Sequence, residues 1–146
     1  MAYNKCHIRG AQFLDLATFS DMKTDLPFMM PSEADFTARM KQLGVKMSDK
    51  VVCYETGEKN LFSYRAAWML QAMGHPNVHV LDGALHQWVN EGRPVASCKL
   101  DTNPKDFGYK MQRDKITFFN QIKYPTQPHL IIDNRPAQYY QSANIQ

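Results

Sequence analysis

Three thiols, five imidazoles and one polar loop are the groups in this 146-residue chain whose types could do chemistry. Cys6, Cys53 and Cys98 are spread about evenly with no Cys-x-x-Cys pair, so neither a zinc knuckle nor a disulfide framework is indicated. A reducing compartment is the simplest reading. A thiol acts as a nucleophile only as thiolate, which needs an electropositive setting such as a helix amino terminus. Cys53 instead lies within Val51-Val52-Cys53-Tyr54, a run whose side chains are expected to be buried on either face. Apolar burial raises a thiol pKa, so Cys53 reads as an inert core cysteine. His7, His75, His79, His86 and His129 share no metal-ligand spacing with cysteine or carboxylate clusters, and neither metal nor cofactor is expected. His75, before Pro76, reads as turn chemistry, and His79 falls within a strand. The loop Glu55-Thr56-Gly57-Glu58-Lys59-Asn60 has one glycine and no Lys-Ser/Thr pair, so it is not a nucleotide phosphate loop.

The elements that must position these groups can be read from periodicity. Ser32 is a candidate N-cap with Asp35 at N3, and Phe36, Met40 and Leu43 recur at i, i+4 and i+7 until Gly44 ends the helix. Val51 to Tyr54 has strand preference without polar alternation, as in a parallel strand. Residues 63–73 are apolar on nearly every side and close at Gly74, which reads as a helix packed between the sheet and its neighbours. Val78 to Leu81 is a short strand, and Leu85, Trp88 and Val89 mark one face of a helix ended by Gly92. Trp68, Trp88 and most of the nine methionines fall on predicted core faces. Helix, strand, helix, strand, helix with short connectors predicts an α/β fold, a parallel sheet flanked by helices on both faces. The domain spans 1–95, followed by a linker or surface wrap at 96–115. Segment 116–146 carries a short helix marked by Ile116, Phe119 and Ile122 and a buried-looking strand, Leu130-Ile131-Ile132.

Composition limits the function classes. With 44% hydrophobic, 21% charged and 12% aromatic residues, the chain fits one soluble domain. Seventeen basic against fourteen acidic residues leave +3, spread along the chain, so no nucleic-acid partner is expected. No run approaches the ~20 apolar residues of a membrane span. The opening Met-Ala-Tyr-Asn-Lys-Cys-His has neither a secretory-signal nor a mitochondrial-presequence layout.

Three motifs resemble the rhodanese family, in particular the amino-terminal half of tandem thiosulfate and 3-mercaptopyruvate sulfurtransferases. They are His7-Ile8-Arg9-Gly10-Ala11 with Phe13-Leu14-Asp15, then Leu26 to Ser32, then Gly74-His75-x-Asn77-Val78 through Leu81-Asp82-Gly83-Ala84-Leu85-x-x-Trp88 and Glu91-Gly92-x-Pro94. The resemblance implies sulfur transfer through a cysteine persulfide, on a loop where backbone amides and a helix amino terminus stabilise the charge. Here the matching loop, Glu55 to Asn60, has no cysteine. Cys6 stands at a glycine of the family motif, and Cys98 lies in the linker. The loop and the following Arg65-Ala66-Ala67-Trp68-Met69 resemble the silent version found in the amino-terminal domain of tandem enzymes. Ile131-Ile132-Asp133-Asn134-Arg135 resembles the opening strand of the second domain, where an arginine meets an anionic substrate. Arg135 and Arg65 are therefore the candidate anion-binding residues. The family's second arginine, four residues on, is Tyr139 here.

The family also implies a strand with an Asp-x-Arg end before the His-Ile motif, with which this chain opens. That strand is expected from the chain's own carboxy-terminal segment, from a swapped second copy, or from another polypeptide. The functional expectation is a catalytically silent pseudoenzyme, a structural or interaction subunit with a protein partner, possibly in a larger complex. The alternative is a piece of an active sulfurtransferase whose persulfide cysteine is on another chain. The resemblance implies a mitochondrial location, with the cytoplasm as alternative.

Overall fold

The computed structural model describes residues 2–57, 59–97 and 108–138, and the chain divides into two units, Met1–Lys115 and Ile116–Gln146. In the first unit, helix α1 (Ala2–Lys5) leads into strand β1 (His7–Ile8), followed by α2 (Glu33–Gln42), β2 (Val51–Cys53), α3 (Leu61–Ala72), β3 (Val78–Val80), α4 (Ala84–Asn90) and β4 (Val95–Ala96). Helix α2 begins where its sequence says: the Asp35 backbone N–H donates to Ser32 Oγ at 3.1 Å. Its apolar stripe delivers Phe36 and Met40 to the centre of the core, where both are essentially inaccessible. Phe36 meets Phe19 and Tyr109 edge to face, each with ring centroids 5.0 Å apart. Edge-to-face contacts of this kind match the negative ring face to the positive edge.

Strands β2 and β3 pair in parallel with Val51 opposite Val78 and Cys53 opposite Val80, the arrangement expected from short strands joined by a crossover helix. Val51, Cys53, Val78 and Val80 pack on the core that α3 covers with Met69 and Leu70, joined by Met73 at its C-cap. Val52, however, is 47% exposed, and His79 on the neighbouring strand is exposed as well. The expectation that β2 is buried on either face is thereby corrected: side chains alternate across a strand, and only the 51/53 side has a partner layer among the described residues. The reading of residues 63–73 as enclosed on nearly every side also fails at Tyr64, which is 62% exposed. A second, antiparallel pair joins β1 to β4, with His7 opposite Ala96. Sequence periodicity did not mark it because two-residue strands carry no pattern.

Part of the weakly patterned stretch after β4 is described, and it is anchored at three points. The backbone N–H groups of Tyr109, Met111 and Gln112 donate to Thr37 Oγ1 (3.0 Å), Glu33 Oε1 (3.0 Å) and the Ala72 carbonyl (2.6 Å). Gly74 admits this segment: its φ is +88°, and a Cβ there would come within 3.0 Å of the Lys110 carbonyl. Tyr109 becomes a core residue, 5% exposed.

In the second unit, a short helix α5 (Phe119–Lys123) starts with the Phe118 N–H donating to Gln121 Oε1 at 2.7 Å. The expected strand at Leu130-Ile131-Ile132 is not formed, and the three side chains are 86%, 64% and 78% exposed. A strand exists only as part of a ladder, and the described residues offer this segment none.

Candidate functional site

The loop after β2 is closed by its own groups. The Glu55 carbonyl accepts from the Leu85 N–H at 3.1 Å, and Glu55 Oε2 accepts from the Phe62 N–H at 3.1 Å. Phe62 is in the first turn of α3, so a carboxylate of the loop itself occupies a donor at that helix amino terminus. At the far end, Asn60 holds a left-handed conformation (φ +53°), and its Nδ2 donates to the Leu81 carbonyl at 3.3 Å. Ser63 Oγ donates to the Asn60 carbonyl at 2.8 Å, which fixes the entry into α3. Between these anchors Thr56, Gly57 and Lys59 are exposed, and Glu58 lies outside the described residues.

Neither described thiol has the setting of a nucleophile. Cys53 is partly buried on β2, and burial pushes its thiol from the ordinary 9.0 up to about 11, leaving it protonated at neutral pH. Cys6 is a free thiol in the turn between α1 and β1, and Cys98 lies outside the described residues. The candidate arginines fall in different units. Arg65 donates from Nη2 to the Phe28 carbonyl and lies over the Trp68 ring, 4.7 Å from its centroid. Burial lowers its pKa from the ordinary value, and its Nε has no partner among the described residues. Arg135 donates from Nε to both Asp133 oxygens at 2.9 Å, so a carboxylate two residues away already occupies its fork.

Several polar groups escaped the sequence reading. Tyr54 Oη accepts from the Ile8 N–H at 3.0 Å, tying the strand to the His-Ile motif. His75 is buried rather than a turn residue: Nε2 donates to the Asp49 carbonyl at 2.9 Å, which leaves Nδ1 to accept from Tyr109 Oη at 3.1 Å. His7, 1% exposed, stacks on Tyr3 and donates from Nδ1 to the Tyr3 carbonyl at 2.8 Å. No short-range pattern announces these pairings, because their partners stand 26 to 46 residues away in the chain for His75 and Tyr54. Among the described residues no cluster of His, Cys, Asp or Glu could hold a metal ion, and no helix is long and apolar enough to cross a membrane.

A strand, a loop and a helix amino terminus arranged this way, with the His-Ile motif tied to the strand and the Asp-Gly turn following β3, define the sulfurtransferase-like α/β class. Residues 1–91 match the family model described as the rhodanese-like domain, and the chain belongs to that family. The thiosulfate sulfurtransferase of Gallus gallus is 32% identical over 146 residues, which are 98% of this chain and 50% of that protein. The Arabidopsis thaliana protein named thiosulfate/3-mercaptopyruvate sulfurtransferase 1, mitochondrial, is 44% identical over 96 residues, 65% of this chain and 25% of its own length. The crystal structure of SseA from Escherichia coli, a 3-mercaptopyruvate sulfotransferase, superposes with a TM-score of 0.89 at 26% identity, covering 97% of this chain and 54% of that one. The match is to the amino-terminal half of the tandem enzymes, and the chain spans about half the length of the curated relatives it matches.

Proposed function

We propose that this chain is a catalytically silent rhodanese-like domain that serves as a structural or interaction subunit. The observation that carries this reading is the loop itself: no cysteine stands between Glu55 and Asn60, and Glu55 supplies a carboxylate to the helix donor at Phe62. A persulfide anion placed there would meet a negative charge where the chemistry needs donors. Cys53 is no substitute, because its thiol is held protonated. A mitochondrial location belongs to the same reading, supported by the name of the Arabidopsis thaliana relative. Fractionation of cells expressing the chain, with the cytosol as the opposing result, tests it.

The second reading, part of an active sulfurtransferase with the persulfide cysteine on another polypeptide, is favoured by the chicken thiosulfate sulfurtransferase match, which covers 50% of that enzyme. Thiocyanate formation from thiosulfate and cyanide by the isolated chain tests the silent reading. No turnover by the isolated chain is the expected result. Turnover that disappears in Cys53→Ser would overturn the silent reading.

A further inference from the structure

Residues 21–29 form a loop closed at its base, where the Asp21 N–H donates to the Met29 carbonyl at 3.0 Å. Surface loops whose ends meet in this way are frequently functional. Two further bonds stay inside the loop, from the Lys23 N–H to Asp21 Oδ1 at 2.9 Å and from the Leu26 N–H to Thr24 Oγ1 at 3.2 Å. Among the described residues, two polar contacts tie the body of the loop to the rest of the domain: an exposed ion pair of Lys23 with Asp35 at 3.9 Å, and the bond from Arg65 Nη2 to the Phe28 carbonyl. An ion pair so exposed contributes little, which leaves Arg65 as the latch. The latched state carries strain. Phe28 holds φ +57°, a left-handed conformation that is costly for a bulky residue and persists only where the surroundings impose it. Its ring meets Phe62 of the first turn of α3, centroids 5.9 Å apart, while its carbonyl is turned to Arg65.

The Phe28 carbonyl is also an imperfect occupant of Arg65. A guanidinium presents parallel N–H donors that match two oxygens at once, and a carbonyl supplies one. Nη2 takes that oxygen, whereas Nε is buried by this chain's own atoms with no partner among the described residues. The Trp68 ring lies beside the guanidinium, 4.7 Å from centroid to carbon, and no described carboxylate pairs with the charge. An anion with two oxygens meets both donors and the charge together, at the expense of the bond to Phe28.

We propose that residues 21–29 are a lid latched by Arg65, and that a small oxyanion presenting two oxygens opens it by taking the Nε/Nη2 fork in place of the Phe28 carbonyl. Released from Arg65, Phe28 can leave its left-handed conformation, so relief of strain adds to ligand binding in favour of the open state. The anion shifts the equilibrium because the closed lid leaves it only part of the fork. Chloride, a single-point anion, cannot span two donors. The site needs no cysteine, so it goes beyond the silent reading and stands or falls apart from it.

Trypsin cleavage after Lys23 reads the lid: the side chain is already 82% exposed, so the rate follows opening of the backbone. Cleavage after Lys59, in the exposed loop before α3, is the internal reference. Inorganic sulfate should raise cleavage at Lys23 relative to Lys59 at least ~5-fold over chloride at equal ionic strength, against its general tendency to strengthen burial. The Nε–H resonance of Arg65 should shift over the same titration. Arg65→Lys keeps the charge and loses the fork. In that variant cleavage at Lys23 should be fast in both salts, while the amides of α3 stay protected. A cleavage ratio that ignores sulfate, or an Nε–H shift without faster cleavage, would overturn the lid. A sulfate response that survives in Arg65→Lys would mark an adventitious ion only and overturn the site, and slow cleavage of that folded variant in chloride would overturn the latch. Should the variant unfold, the titration of the unaltered chain decides alone: ratio and Nε–H shift rising together support the gate, and either without the other overturns it.

Discussion

Alkylation of Cys53 by iodoacetamide gives a direct measure of the site's silence. Its thiol is pushed from 9.0 to about 11 by burial against the core side of β2. At pH 7 the thiolate fraction then falls from about 1% to about 0.01%, a hundredfold loss of the reactive form. A more basic thiolate is intrinsically more nucleophilic, and a Brønsted slope of about 0.4–0.5 over two units returns roughly six- to tenfold. The net expectation is a rate about ten- to fifteenfold below that of the same cysteine in the unfolded chain, before any steric shielding by neighbouring side chains. Peptide mapping by mass spectrometry, with the guanidinium-unfolded chain as reference, supplies both rates. The folded rate should climb about tenfold per pH unit and level only near pH 11. A folded rate equal to or above the unfolded one at pH 7, or a plateau below pH 9, would refute the burial argument and reopen Cys53 as a nucleophile.

Three further outcomes follow from the packing. Phe36→Ala removes the ring between Phe19 and Tyr109 and should lower stability by about 3–5 kcal/mol in chemical denaturation. Glu55→Gln removes the carboxylate at the α3 amino terminus and should lower the melting temperature by the equivalent of about 0.5–1 kcal/mol without creating sulfurtransferase turnover. Alkaline pH should destabilise the fold: Tyr109 is raised from 10.0 to about 12, first by burial and then by the charge of Asp49, and Cys53 from 9.0 to about 11. Between pH 9 and 12 the unfolded chain releases protons that the folded chain keeps, so stability present below pH 9 is lost as pH rises, on the order of 2 kcal/mol per group. Tyr109→Phe should flatten the upper part of that fall in a pH series of urea melts.

The sequence alone determined whatever depends on neighbours within a turn or two. Ser32, Asp35 and the Phe36-Met40-Leu43 stripe specify α2 because capping and the 3.6-residue period are local. The absence of a cysteine from the loop is legible for the same reason, and so are the family motifs, whose resemblance the rhodanese-like match bears out. Tertiary structure alone decided which faces find a partner. Val52 and Cys53 are adjacent and both apolar, yet the pleat sends one to the core and leaves the other at an open face. Leu130-Ile131-Ile132 reads as a buried strand but is exposed, because strand formation requires a ladder that no local pattern supplies. Tyr109 reads as linker and becomes core, since Gly74 leaves room for its segment and Thr37 accepts its N–H from 72 residues away. Long-range pairing creates these environments, and the thiol of Cys53 and the carboxylate of Glu55 acquire their properties only inside them.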